Sequence, residues 1–153
     1  MALTRRTSPH ARNRRTHAPL LGLCAGQIVR RERVPVHISF HGSNSNGLVQ
    51  REFTDLNTSA DQHGFVVVYP YGSGDRERLL FWNAGNCCGD AYRDQVDDVG
   101  FVRALLDELY RLLPIDADRM FLSGMSNGAE SWPTPWPPRW PTSSPPWRAS
   151  PDR

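Results

Sequence analysis

Hydrophobic and polar positions along this chain fall into blocks whose periods change. Val34-Pro35-Val36-His37-Ile38-Ser39-Phe40 is a short β-branched run that stops at His41-Gly42-Ser43-Asn44-Ser45-Asn46-Gly47. Such a run ending in a polar Gly/Asn/Ser loop predicts a buried strand leading into a turn. A helix is predicted around residues 49–62. Gly64 then releases Phe65-Val66-Val67-Val68-Tyr69-Pro70, whose unbroken apolar character suits a parallel strand covered on both faces. Residues 71–94, rich in glycine, arginine and asparagine, read as a loop. Val102, Leu105, Leu106, Leu109 and Leu113 then recur at three- and four-residue steps, an amphipathic helix. Asp97 and Asp98 stand at its start, where carboxylates favour the helix dipole, and Pro114 ends it. Arg119-Met120-Phe121-Leu122-Ser123 is a third strand, running into Gly124-Met125-Ser126-Asn127-Gly128. Strand, helix, strand, helix, strand is the rhythm of an α/β fold, a mostly parallel sheet with crossover helices.

Composition changes the picture at both ends. The formal charge of +2 averages three unlike segments: +7 over residues 1–33, −7 over 34–130 and +2 over 131–153. An acidic middle is not the footprint of a dedicated nucleic-acid binder. Residues 1–33 show no periodicity and read as a flexible, arginine-rich leader. No apolar run is long enough to span a bilayer, so no membrane partner is expected. The stretch from Ala18 to Gly26 follows the arginines as a signal peptide would. Its apolar core is short, however, and Pro19 sits at its edge, so it does not make a convincing signal. The cysteines are Cys24, Cys87 and Cys88. Adjacent cysteines rarely bridge each other, so at most one of the pair is expected to bond elsewhere, with a reduced, structural state the alternative. No metal-ligand spacing is visible.

The candidate chemistry sits at the third strand's end. Gly124-Met125-Ser126-Asn127-Gly128 fits Gly-x-Ser-x-Gly, a pattern that is cheap alone and informative after an apolar strand. A serine there sits on a strained turn above the sheet edge, and glycines flank it because side chains would crowd the turn. The pattern makes Ser126 the candidate nucleophile and the Asn127 backbone N–H a candidate oxyanion donor. The loop opened by His41-Gly42-Ser43 is the second candidate, with backbone donors near Gly42 and Ser43 rather than the imidazole facing the oxyanion. His10, His17, His37 and His63 all precede the nucleophile, whereas the general base of this arrangement follows it in chain order.

Several segments together, in order, resemble the polyhydroxybutyrate depolymerase and feruloyl esterase-like family. They are residues 36–42 and 64–69, Trp82-Asn83 with Cys87-Cys88-Gly89, Asp97-Asp98-Val99-Gly100-Phe101-Val102, and 118–129. The resemblance covers roughly residues 34–130. It implies the front half of an α/β-hydrolase, an extracellular esterase that cleaves carboxylic esters of polymers or aromatic acids with neither metal nor cofactor. It also implies that Ser126 is the nucleophile, that the 41–43 loop serves the oxyanion, and that Trp82, His41 and the cysteine loop lie near the mouth of the site. Members carry an Asp and a His beyond later strands.

After Glu130 the pattern becomes foreign. Eight of the thirteen prolines and four of the five tryptophans follow it, and proline at that density forms no helix. Shifting the reading frame back by one nucleotide turns every Trp-Pro pair into Met, Leu or Val followed by alanine. Trp132, Trp136 and Trp140 then become apolar positions at helical spacing. All the basic residues are arginine, as a GC-rich gene would give. The expectation is a truncated α/β-hydrolase: a leader (1–33), a hydrolase half (34–130) and a frameshifted, non-native tail (131–153). The functional readings are a serine esterase acting through an acyl-enzyme on Ser126, or an inactive fragment lacking the triad Asp and His.

Overall fold

The computed structural model describes residues 20–22, 33–74 and 79–131. Expectations for the rest of the leader, for Cys24 and for the tail beyond Ser131 lie outside the described residues. Four strands form one sheet: β1 (Leu20–Gly22), β2 (Val34–Phe40), β3 (Val66–Tyr69) and β4 (Ile115–Gly124). Their order is β1-β3-β2-β4. β2 runs parallel to both β3 and β4, and β1 pairs antiparallel with β3. The chain is thus of the α/β class. One departure from the sequence reading is β1. Its backbone pairs Leu20–Gly22 with Val67–Tyr69, so that part of the leader supplies a ladder to the outer side of a fully buried strand.

The helices cover the sheet on two faces. Val36, Ile38, Phe40, Val66 and Val68 point to one side, against Val102, Leu105, Leu106 and Leu109 of α4 (Asp98–Leu112). Val67 and Tyr69 point to the other side, against Ala60 of α2 (Leu56–His63). Alternate residues of each strand therefore bury into different layers, which is why β3 is apolar throughout.

The single helix expected around residues 49–62 is two. α1 (Gly47–Thr54) begins two residues early because the Asn46 side chain caps it, accepting the Val49 N–H at 3.0 Å. It ends at Asp55, whose φ of 48° breaks the helical path, and α2 starts at the next residue. Thr58 donates its hydroxyl to the Asp55 carboxylate at 2.9 Å and fixes the joint. The 71–94 stretch is mainly irregular, as expected, but holds a short helix, α3 (Gly89–Arg93). β4 starts four residues earlier than its apolar core suggests. The Val34 N–H donates to the Pro114 carbonyl, and an irregularity follows before the regular register of Val36 with Met120. Asp116 and Asp118 mask that start in the sequence.

The topology decides where a site can form. From β2 the chain moves to one side to build β3, then returns across to build β4 on the other side of β2. The C-terminal ends of β2 and β4 therefore diverge at a switch point, the crevice in which open α/β sheets place ligands. Phe40 pairs with Gly124 at those ends, so the loops that start at His41 and Met125 leave the sheet side by side. Among the described residues the outer edge of β4 has no strand partner, and Phe121 on its α2-side face is 56% exposed.

Candidate active site

Ser126 occupies the turn between β4 and α5 (Asn127–Glu130), with φ 48° and ψ −121°. That conformation favours glycine, and holding a serine there costs roughly 1–3 kcal/mol. The elbow is over-determined by its neighbours. The Met125 N–H donates to the Phe40 carbonyl at 3.1 Å, the Gly128 N–H to the Met125 carbonyl at 2.9 Å, and the Ala129 N–H to the Ser126 carbonyl at 2.7 Å. Ser126 itself stays exposed while Asn127 and Gly128 beside it are buried. Because the strain belongs to the backbone, Ser126→Gly is expected to be more stable than Ser126→Ala by about 1 kcal/mol, once the entropy of glycine is subtracted. Urea denaturation of the two variants checks this, and an equal or lower midpoint for the glycine variant would contradict the strain.

The 41–43 loop lies against the elbow. A methyl group placed on Gly42 would stand 3.3 Å from the Met125 carbonyl and 3.8 Å from Ser126 Cβ. The structure thus sets Gly42 against the turn that carries Ser126 and Asn127.

His41 and Trp82 are placed differently from a pair at a site's mouth: neither has any exposed surface. His41 Nδ1–H donates to the Gly42 carbonyl at 2.7 Å, and Nε2 accepts the Gly72 N–H at 3.0 Å. Burial lowers its pKa to about 4, the Gly42 bond opposing the shift in part, so the ring is a neutral tautomer with both nitrogens engaged. Trp82 lies underneath, edge-on to Phe40 with centroids 5.3 Å apart and 5.0 Å from the His41 ring. Its indole N–H donates to the His41 carbonyl at 3.0 Å. Both rings buttress the loop from below.

Two features were not legible beforehand. Cys87 and Cys88 bond to each other, across a cis peptide, where adjacent cysteines were expected not to pair. Their Cα atoms are 3.2 Å apart, nearer than the ~3.8 Å of a trans peptide. The two aspartates opening α4 also divide their work. Asp97 caps the helix, accepting the Gly100 N–H at 2.8 Å, while Asp98 is 3% exposed and accepts the Asn83 N–H at 2.6 Å. Desolvation, offset in part by that bond and reinforced by Asp97, raises the Asp98 pKa to about 6.

No described histidine serves Ser126. His41 is committed on both nitrogens, His37 Nε2 bonds Ser123 Oγ at 2.8 Å, and His63 closes α2. No group of three or more metal-binding side chains occurs among the described residues.

The sequence model of the family described as Esterase PHB depolymerase matches residues 20–133. The chain belongs to this family. Two curated esterases are similar to it. The bifunctional acetylxylan esterase/xylanase XynS20E of Neocallimastix patriciarum is 31% identical over 94 residues, covering 61% of this chain and 12% of that protein. NocK of Nocardia uniformis subsp. tsuyamanensis, an esterase by name, is 29% identical over 114 residues, covering 74% of this chain and 32% of that protein. The chain therefore spans 12% and 32% of these relatives' lengths.

Proposed function

We propose that this Esterase PHB chain supplies the nucleophile and oxyanion donors of a serine esterase of the α/β-hydrolase fold. Ser126 Oγ attacks the carbonyl carbon of an ester, and its proton passes to a base. The carbonyl oxygen takes up negative charge facing backbone N–H groups of Asn127 and of the Gly42–Ser43 segment. The alcohol leaves, and water then releases the acid from the acyl-serine. The observation that carries the reading is Ser126 in its strained turn, exposed beside the Gly42 loop at the sheet's switch point. The family and the named activities of the two relatives support ester hydrolysis. Polymeric hydroxyalkanoate and feruloyl-type esters are the proposed substrates, and export from the cell is the proposed setting. The reaction as drawn calls on neither metal nor cofactor.

A second reading concerns the base. With every described imidazole engaged or remote, the described residues offer Ser126 no base, and an unaided hydroxyl is a weak nucleophile. The 153-residue chain is therefore expected to show no Ser126-dependent turnover of p-nitrophenyl acetate; clear turnover that disappears in Ser126→Ala would place a base within it.

The nucleophile reading has its own test. An activated p-nitrophenyl phosphonate at alkaline pH, where solvent takes the proton, should transfer one phosphonyl group to Ser126 with release of p-nitrophenolate. Intact-mass analysis with peptide mapping reads the site. Labelling of exposed serines elsewhere as fast as Ser126 would overturn the assignment.

A further inference from the structure

Asn127 was singled out for its backbone, yet its side chain is 1% exposed and makes a bond pattern of its own. Its Oδ1 accepts the Trp82 N–H at 2.8 Å, and its Nδ2 donates to the Trp82 carbonyl at 2.9 Å. One amide thus grips both backbone polar groups of one residue, as a neighbouring strand would, across 45 positions of sequence. Trp82 is held in turn. Its indole N–H donates to the His41 carbonyl at 3.0 Å, and the next residue, Asn83, gives its N–H to buried Asp98 at 2.6 Å and its side-chain amide to the Val96 carbonyl at 3.1 Å. The two halves of the proposed oxyanion site, the Asn127 peptide and the loop from His41, are consequently fastened to the same residue from opposite ends.

We infer that the Asn127 side chain is a positioning residue: by clamping the Trp82 peptide it sets where its own backbone N–H meets the forming oxyanion, in register with the donors of the 41–43 loop. The inference rests on the serine-esterase reading above. Its physical basis is short-range. The gripped amide and the N–H hang on one Cα, so fixing the amide at two points leaves that Cα little freedom. Oxyanion stabilisation depends on donors already aimed where charge develops, and a misplacement of about 1 Å can lower a rate about a hundredfold. A buried amide that merely satisfied itself would have no reason to be tied to the residue that also carries the opposite donor loop.

The test uses the full chain and the rate of Ser126 phosphonylation. Asn127→Ala should label at least about tenfold more slowly than the parent. Gln50→Ala, which removes another buried side-chain bond (Gln50 Nε2 to Ser39 Oγ, 3.0 Å) that is not part of the Trp82 clamp, should stay within about twofold. Asn127→Asp adds a readout that general loosening would not produce. The introduced carboxyl can replace both bonds when protonated but loses the donor when ionised, so its rate relative to the parent should recover as pH falls. Taking the ratio at each pH removes titrations common to both proteins, including Asp98 and His41. Equal labelling of Asn127→Ala and parent, or an equal loss in Gln50→Ala, would overturn the inference. Amide hydrogen exchange separates this from failure of the nucleophile reading. If the parent itself is not labelled at Ser126, faster exchange confined to residues 82–84 and 126–129 in Asn127→Ala still supports the clamp, and unchanged exchange there refutes it.

Discussion

Gly128→Ala should destabilise the chain by about 2–3 kcal/mol, although the same change in an ordinary helix stabilises by about 1 kcal/mol. The sign reverses because of what surrounds Gly128, the second residue of α5. A Cβ there would run into the His41 carbonyl oxygen and lie 2.8 Å from that of Phe40. Both are backbone atoms at the end of β2, and neither can turn aside as a flexible side chain would. To admit the methyl group the elbow must lift from the 41–43 loop. That movement breaks the Met125 N–H bond to Phe40 and pulls the Asn127 clamp from Trp82. Gly124→Ala meets the same obstacle from the other side, since its Cβ would strike the Gly128 carbonyl. Gly85 is the comparison. Its φ is 79° with nothing within 4 Å of an added Cβ, so Gly85→Ala should cost only about 1 kcal/mol through strain. Urea denaturation orders the three, and phosphonylation of Ser126 should collapse in the first two and persist in the third. A Gly128→Ala protein as stable as the parent would mean that the elbow does not dock on the loop as described.

That steric demand also shows what the sequence could reveal. Gly124 and Gly128 are visible as a motif, and the strand before them fixes their place. β2 and α4 were legible because each buries a periodic set of apolar residues, and β3 because it is apolar throughout; β4 was legible only as a short apolar run, within which Phe121 is exposed. The adjacency of the His41 loop and Ser126 was legible only through the motif pair, since pattern says nothing of which strands are neighbours. What stayed hidden depends on partners far apart in the chain. Asp55 looks like any helix-interior aspartate until its φ of 48° is seen. Trp82 reads as an aromatic in a loop, and only the fold puts Phe40, His41, Phe101 and Asn127 around it. The vicinal disulfide went against the usual behaviour of adjacent cysteines. The Asp97-Asp98 pair gave a true helix start, but not the burial of the second carboxylate.

That burial sets the second large effect, which appears only with pH. Asp98 has its pKa raised from 3.8 to about 6, chiefly by desolvation. Between those values the folded chain keeps a proton that the unfolded chain has released, so this group makes stability fall as pH rises, by up to ~3 kcal/mol. His41 works in the opposite direction. Its pKa is lowered from 6.5 to about 4, again by burial. Between those values the unfolded chain holds the extra proton, so stability rises with pH by a similar ~3 kcal/mol. His37, also lowered by burial, adds to the rise. In the parent the two large slopes oppose each other over nearly the same window, and stability should change little between pH 4 and 6.5. Asp98→Asn removes the falling slope alone. Its side-chain oxygen can still accept the Asn83 N–H, so the loop carrying Trp82 stays anchored, but no carboxylate need be buried. The position of Oδ1, which has no hydrogen-bond partner in the described structure, keeps part of the polar cost. The variant should therefore gain stability steeply from pH 4 to 6.5 and exceed the parent by about 1–2 kcal/mol at pH 8. Denaturation midpoints measured across that range decide it. Parallel pH profiles for parent and variant would show that Asp98 titrates normally and is not enclosed, and the anchoring of Asn83 at the base of the site would lose its support.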